Sequence, residues 1–295
     1  MYLSIQNTKK RWARKAAVFL AGFMIGFWLI PSAFAQNSLL YKIEGNGIKT
    51  SYLYGTFHIL PQEDFVITDN ITNALDKTSQ IVLELDMDDP NLQAEMMGGM
   101  AMTDGSTIDK LLSESEFQKL DALLKKTVNI GAPMVNSVKP FMVAAMLYEN
   151  YIEGKPASYE GWFVQQAGER KMEVLGLETA TEQLNIFERI SYEEQAKDLA
   201  EMLNDHEKMA ALFEKMIDLY KAAEIEKLYQ LAVDEFDGEN EAELLLDDRN
   251  KKWIPKIGNI AQEKETFFAV GAGHIGGENG VLKLLKKAGY TVTAM

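Results

Sequence analysis

Tyr52-Leu53-Tyr54-Gly55-Thr56-Phe57-His58-Ile59 is an apolar, aromatic run that ends in Gly-x-x-His. The same unit returns near the other end of the chain as Phe267-Phe268-Ala269-Val270-Gly271-Ala272-Gly273-His274-Ile275. Aromatic and aliphatic residues in such short runs read as core strands. Glycine at the strand end, Gly55 or Gly271, permits a sharp turn or a close backbone approach. Each histidine then falls at the carboxyl end of a core strand, the edge where open α/β sheets bind ligands. Two such strands side by side would aim two imidazoles into one crevice. One Gly-x-x-His carries almost no information, whereas two copies after two strands form a weak internal repeat. The residues alone leave a plainer alternative open, in which each histidine only caps its strand and satisfies a backbone group.

Working outward, Ile81-Val82-Leu83-Glu84-Leu85 is a continuous apolar run with one acid, the pattern of a strand buried on both faces. A carboxylate at Glu84 is costly there without a metal, a cation or a strong donor. Asp86 shares its face by strand alternation. Two histidines and a carboxylate form a ligand set suited to zinc, manganese or iron, with positions left for water and substrate. The third histidine, His206, sits in Asn204-Asp205-His206-Glu207 and reads as the polar start of a helix without a chemical role.

The remaining pattern is α/β (or α+β), a central mixed sheet bearing the two Gly-x-x-His strand ends. Leu39 to Glu44 and Lys49 to Phe57 form a hairpin around Gly45-Asn46-Gly47. Helices are expected over Asn70–Lys77, Asn91–Met102, Ser113–Lys126, Lys139–Ile152 and Glu160–Gly168, with strands at Met172–Gly176, Thr266–Val270 and Tyr290–Thr293 and a helix over Asn279–Lys287. Ser113-Glu114-Ser115-Glu116 and Ser191-Tyr192-Glu193-Glu194 are capping boxes. From about 187 to 256 the chain is acidic and helical, a large insertion or lid with Pro255 closing it. One of its apolar stripes is Ile225, Leu228, Ala232 and Phe236. Met96-Met97-Gly98-Gly99-Met100-Ala101-Met102 is an adaptable apolar stretch, either a packed loop or a grip for an apolar substrate segment.

Residues 1–35 read as a secretory signal peptide, with a retained membrane anchor as the plainer alternative. Lys9, Lys10, Arg11, Arg14 and Lys15 precede an apolar run over Ala16–Ile30, and Ala33-Phe34-Ala35 offers a small-residue cleavage site. Cleavage leaves a mature domain over 36–295. Losing five positive charges and no negative one takes the net charge from −14 to −19. That acidity argues against nucleic acid and against binding anionic lipid by charge. No later segment is apolar enough to span a bilayer, and the absence of cysteine excludes disulfides.

Further segments complete a pattern: Tyr54 to His58, Leu83-Glu84-Leu85-Asp86, Gly176-Leu177-Glu178-Thr179 with Gln183, Arg249-Asn250 with Trp253, and Gly271 to Val281 with Leu285 and Gly289-Tyr290. In that order they resemble the TraB/GumN family, which includes pheromone-shutdown proteins and is related to the Tiki metalloproteases. The resemblance runs from about Tyr41 to Val292. It implies His58 and His274 as metal ligands, with Glu84 as a ligand or general base. It further implies Arg249 as a catalytic residue on an oxyanion or substrate carboxylate, and Glu178, Gln183, Asn250, Gly55 and Gly271 as supporting or substrate-binding groups. The implied cofactor is a divalent ion, Mn, Co or Zn. A helix-surface ion pair with Asp247 or Asp248 is the plainer role for Arg249. Where the family pattern has Gly-x-Asp, this chain has Ser158-Tyr159-Glu160, which puts a ligand role for that acid in question.

The residues together with the resemblance imply an exported, periplasmic metal-dependent hydrolase acting on a peptide or other small substrate, the peptide resting on the resemblance to the Tiki metalloproteases. Two alternatives stand beside it. One is a protein that sequesters a peptide or other ligand without turnover. The other is a metal-free, esterase-like hydrolase with a histidine as general base.

Overall fold

The hairpin that opens the fold turns on Gly45, Asn46 and Gly47, all three with positive φ. The computed structural model describes residues 37–235 and 241–295, so the signal peptide expected over 1–35 and Phe236 of the expected stripe lie outside the described residues. The strands are β1 (Leu40–Glu44), β2 (Ser51–Thr56), β3 (Leu60–Pro61), β4 (Gln80–Leu85), β5 (Pro156–Ala157), β6 (Glu173–Glu178), β7 (Thr266–Gly271) and β8 (Thr291–Ala294). Six of them form one mixed sheet in the order β6-β4-β7-β2-β1-β8, and β3 pairs with β5 apart from it. β6, β4, β7 and β2 are mutually parallel neighbours, while β1 and β8 close one edge antiparallel. The register of β2 on β7 runs from Tyr52 opposite Phe267 to Thr56 opposite Gly271. The two Gly-x-x-His units therefore leave the sheet at one edge from adjacent strands.

The helices are α1 (Asp69–Leu75), α2 (Leu92–Gly99), α3 (Ile108–Leu111), α4 (Glu114–Thr127), α5 (Pro140–Ala145), α6 (Tyr159–Arg170), α7 (Ala180–Phe187), α8 (Tyr192–Asn204), α9 (His206–Lys221), α10 (Ile225–Glu235), α11 (Asp248–Glu263) and α12 (Val281–Lys287). Strand alternation sorts the sheet's side chains into two cores. Tyr52, Tyr54, Ile81, Leu83, Phe267 and Ala269 pack with residues of α1, α6 and the end of α9. Leu53, Val82, Phe268 and Val270 pack with Trp253, Ile257 and Ala261 of α11 and with α12. Burial on both faces explains the unbroken apolar runs. Each fully buried Phe of the 267–268 pair contributes about 1.5–3 kcal/mol of apolar burial.

A third core is wholly helical, with Leu120, Leu124, Val143, Leu199, Met202 and Phe213 among its members. It draws on α3, α4, α5 and α8, and α9 ties it to the sheet: Phe213 lies in the helical core, while Tyr220 donates to Gly55 O at 3.0 Å. His206 starts α9 with its ring against Tyr151.

The segment from 187 to 256 is thus not one appendage. Its first half shares a core with helices from 108 to 147, and its last part enters the sheet core through Trp253. Pro255 does not end the region either, because α11 runs through it to Glu263. The helix expected over Lys139–Ile152 breaks after Ala145, and a 3-10 turn follows at Tyr148–Tyr151. Both expected capping boxes form, and a third joins Thr179 to Glu182, so Thr179 caps the helix after β6. Among the described residues, no helix is long and apolar enough to cross a membrane.

Candidate functional site

The carboxyl ends of four adjacent parallel strands supply one cluster. Glu84 comes from β4, Glu178 from β6, His58 lies two residues past β2, and His274 lies three past β7. Glu84 shares strand parity with Val82, so it faces α11, and there it meets Arg249. A widened π-helical turn at Glu243–Asp247 precedes α11 and leaves Leu245 O able to accept from this arginine. Every donor of the buried guanidinium is used. Nε and Nη2 grip both oxygens of Glu178 at 2.8 to 3.1 Å. Nη2 also reaches Glu84 Oε2 at 2.6 Å, and Nη1 donates to Leu245 O and to His274 Nε2 at 3.0 Å. Arg249 is therefore not a surface ion pair: Asp248 takes Lys251 instead, and the guanidinium lies over the Trp253 ring, 5.0 Å from its centroid.

His274 is buried and its tautomer is determined by its neighbours. Asn250 donates through Nδ2 to His274 O and Asn279 O, which leaves its Oδ1, 2.8 Å from His274 Nδ1, as an acceptor. The proton is assigned to Nδ1, and the Nε2 lone pair faces Arg249. Burial drives the His274 pKa down to about 3; Glu84 opposes this, and the charges of Arg249 and His58 reinforce it. The ring is neutral throughout the working range of pH.

His58 is the open member, with a side chain 66% exposed. Its Nδ1 lies 2.9 Å from Glu160 Oε1, and Thr56 donates to the same oxygen at 2.5 Å. Glu160 sits in the first turn of α6, where Ser158 caps the helix and donates to Glu160 Oε2 at 2.9 Å. Desolvation pulls the His58 pKa down. The hydrogen bond and charge of Glu160, helped by Glu84, outweigh it and raise the pKa to about 9. Glu160 in turn is lowered, because the bond and charge of His58 overcome its own burial.

Glu84 Oε1 accepts from Gly271 N at 2.8 Å. Burial raises its pKa, but the charges of Arg249 and His58 and the Gly271 N–H hold it far below the usual carboxylate range. Gly271 gives the cluster its room. A methyl there would stand 3.3 Å from both Glu84 Oε1 and His58 Nε2 and 3.6 Å from His274 Cδ2. Those two donor atoms are therefore no further apart than twice 3.3 Å. Gly55 has a packing role, since a Cβ on it would strike Ile275 Cδ1 at 2.6 Å.

Other expected members stand apart. Gln183 is half-buried on α7 and makes none of the cluster's hydrogen bonds. Asp86 is not in the network, and burial together with Asp88 and Asp89 raises it to about 6. Glu160 and Thr56 are the members that sequence reasoning did not place. The acid at 160 was visible as a departure from the family pattern, but nothing local connected it to His58.

The donor set suits a divalent ion in three respects. His58 Nδ1 and His274 Nδ1 are each held by an outer partner, the usual way a protein orients imidazole ligands. Both Nε2 atoms then lie near the space before Gly271. Glu84 Oε1 is 3.9 Å from His274 Nε2, a separation that two ligands with bonds of about 2.0–2.2 Å to one ion can span. One contact stands in the way, the Arg249 Nη1 bond to His274 Nε2. As the side chains stand, no group of three His, Cys, Asp or Glu among the described residues is arranged to hold a metal.

A protein-family model described as the TraB/PrgY/gumN family matches residues 39–294. No curated protein and no solved structure matches the chain.

Proposed function

The chain belongs to the TraB/PrgY/gumN family, and from that premise and the geometry above we propose that it is a metal-dependent hydrolase of peptide-like substrates. His58 Nε2, His274 Nε2 and Glu84 Oε1 would hold the divalent ion, Mn, Co or Zn. The observation that carries the reading is the outward tethering of both rings, by Glu160 and by Asn250, around a strand-end carboxylate.

A divalent ion in such a site supplies Lewis acidity and lowers the pKa of bound water. The chain's own groups have separable tasks. Glu84 is a strongly held anion with a depressed pKa, which suits a ligand and makes it a poor proton acceptor. Glu160 keeps the His58 ring in place and carries compensating charge. Arg249 is permanently cationic; its fork already holds Glu178 and Glu84, so toward an oxyanion it would contribute its charge and, with Nη1 released from His274, one N–H. Gly271 keeps side-chain bulk out of the space where a reacting carbonyl would sit.

A metal-free hydrolase is the second reading, and one observation favours it: every donor of Arg249 already has a partner and His274 Nε2 is taken. In that case the His58–Glu160 pair would act as the base, in the manner of a carboxylate-oriented imidazole, and with His58 raised to about 9 cleavage should increase as pH rises toward that value. Export to the periplasm is part of the proposal and rests on the leader residues Lys9 to Ala35.

Hydrolysis of a quenched-fluorescent peptide mixture separates the readings. Metal-dependent chemistry predicts loss of cleavage on exhaustive chelation, recovery on adding Mn²⁺, Co²⁺ or Zn²⁺, and no recovery in His58→Ala or His274→Ala. Cleavage that survives chelation selects the metal-free reading. Capture of peptide without any product on mass spectrometry rejects both.

A further inference from the structure

We infer that Arg249 is a built-in counter-cation that holds the place of the divalent ion, and that loading the centre requires its Nη1 to leave His274. The inference rests on the proposed divalent centre and assigns this residue a gating role there. Four of its five N–H donors go to Glu178, to Glu84 Oε2 and to Leu245 O. None of these uses an atom that the ion needs. Only the Nη1 bond to His274 Nε2 occupies a ligand lone pair, so a small rotation about the Glu178 anchor frees the site without releasing the arginine from its carboxylates.

Charge points the same way. Glu84, Glu160 and Glu178 are three carboxylates gathered in one cluster with the single guanidinium of Arg249. With neutral imidazoles, a divalent ion plus Arg249 balances the three acids, so both cations have reason to stay. In the unloaded protein, the guanidinium keeps Glu84 and His274 aligned and blocks other donors from His274. In the loaded one, the freed Nη1 has an N–H to offer a substrate oxygen. A lysine at this position keeps the charge but, as a point donor, cannot hold both carboxylates and the imidazole.

Titration of the chelated full chain with Mn²⁺ and Zn²⁺ by calorimetry tests this, comparing wild type, Arg249→Lys and Arg249→Met. The expected result is at least tenfold tighter binding in both variants, with the gain abolished by adding His274→Ala. Arg249→Met leaves Glu84 and Glu178 without a cation, so Arg249→Lys is the decisive variant if the methionine protein does not fold. The second readout is Trp253 fluorescence: both the guanidinium and the His274 ring lie against that indole, so the part of the metal-induced change that Arg249→Lys lacks reports the shift of the guanidinium. Metal should change the signal in wild type and not in Trp253→Phe. Equal or weaker binding in Arg249→Lys, or saturation of wild type with no change at Trp253, overturns the gating role. The centre itself still stands if His58→Ala and His274→Ala then lose the ion. Absence of binding in wild type and in both variants removes the gate and the centre together.

Discussion

Replacing Glu160 with Gln isolates the one ion pair of the cluster that faces solvent. The amide keeps the shape and an acceptor for Thr56 and His58, but it removes the charge. In the metal-free protein, His58 sits at about 9 because of Glu160, against a desolvation effect that works the other way. Without that charge, the His58 pKa should fall to its ordinary value or below. A raised folded-state pKa stabilises fully below the unfolded pKa of roughly 6.5, and the effect is lost as pH rises through about 9. Glu160, whose pKa is lowered, contributes above its own unfolded value near 4.3. The pair's stabilisation should therefore be greatest between about pH 4.5 and 6.5. The ring is two-thirds exposed, so solvent screening holds the loss to about 1 kcal/mol. Urea denaturation of wild type and Glu160→Gln in the presence of chelator should differ by that amount at pH 5.5 and converge by pH 9.5. Histidine NMR gives the pKa directly. Of the three rings, His274 stays neutral, and His58 is distinguished from His206 by a His58→Gln control. An unchanged His58 pKa in Glu160→Gln, or a stability difference independent of pH, would refute the reasoning.

Gly271→Ala should fold normally, because its φ of −51° suits alanine, yet the methyl crowds Glu84 Oε1 and His58 Nε2. Metal affinity and peptide cleavage should fall at least tenfold, and circular dichroism would show whether the fold is kept. Asn250→Ala leaves His274 Nδ1 and two carbonyls without partners, at a cost of about 1–3 kcal/mol, and it should also weaken metal binding by calorimetry. Lys139 is almost fully buried, with Nζ 2.5 Å from Gly99 O and 2.6 Å from Glu188 Oε1. Lys139→Met should lower the urea midpoint by the equivalent of about 2 kcal/mol, because the Gly99 carbonyl loses its donor, while His58 chemistry is unchanged.

The cluster of His58, His274 and Glu84 was legible where local pattern determines position. A strand ending in Gly-x-x-His places its histidine, and two apolar strands that need two covered faces both fall in the interior of the sheet, where they are neighbours. The parity of Glu84 with Val82 likewise sets the face it points to. Arg249 was legible only through resemblance, since its helix looks like charged surface until Trp253, Ile257 and Ala261 are read as a buried stripe. The acidic residues around it concealed that stripe, and Pro255 suggested an end where the helix continues. Glu160 could not be paired with His58 from sequence, because the partnership depends on α6 crossing over the sheet to meet Thr56. The helical layer is hidden in the sequence for a similar reason. Helices α3 to α5 and α8 complete one another's apolar faces across a long gap in the chain, and periodicity shows that a face is apolar without showing what covers it.

Crystals grown with Mn²⁺ and measured at the manganese absorption edge test the central claim most directly. The account predicts one anomalous peak about 2.0–2.3 Å from His58 Nε2, His274 Nε2 and Glu84 Oε1, with Arg249 withdrawn from His274. Density showing Arg249 still bonded to His274, with no peak before Gly271 at saturating Mn²⁺, would contradict it.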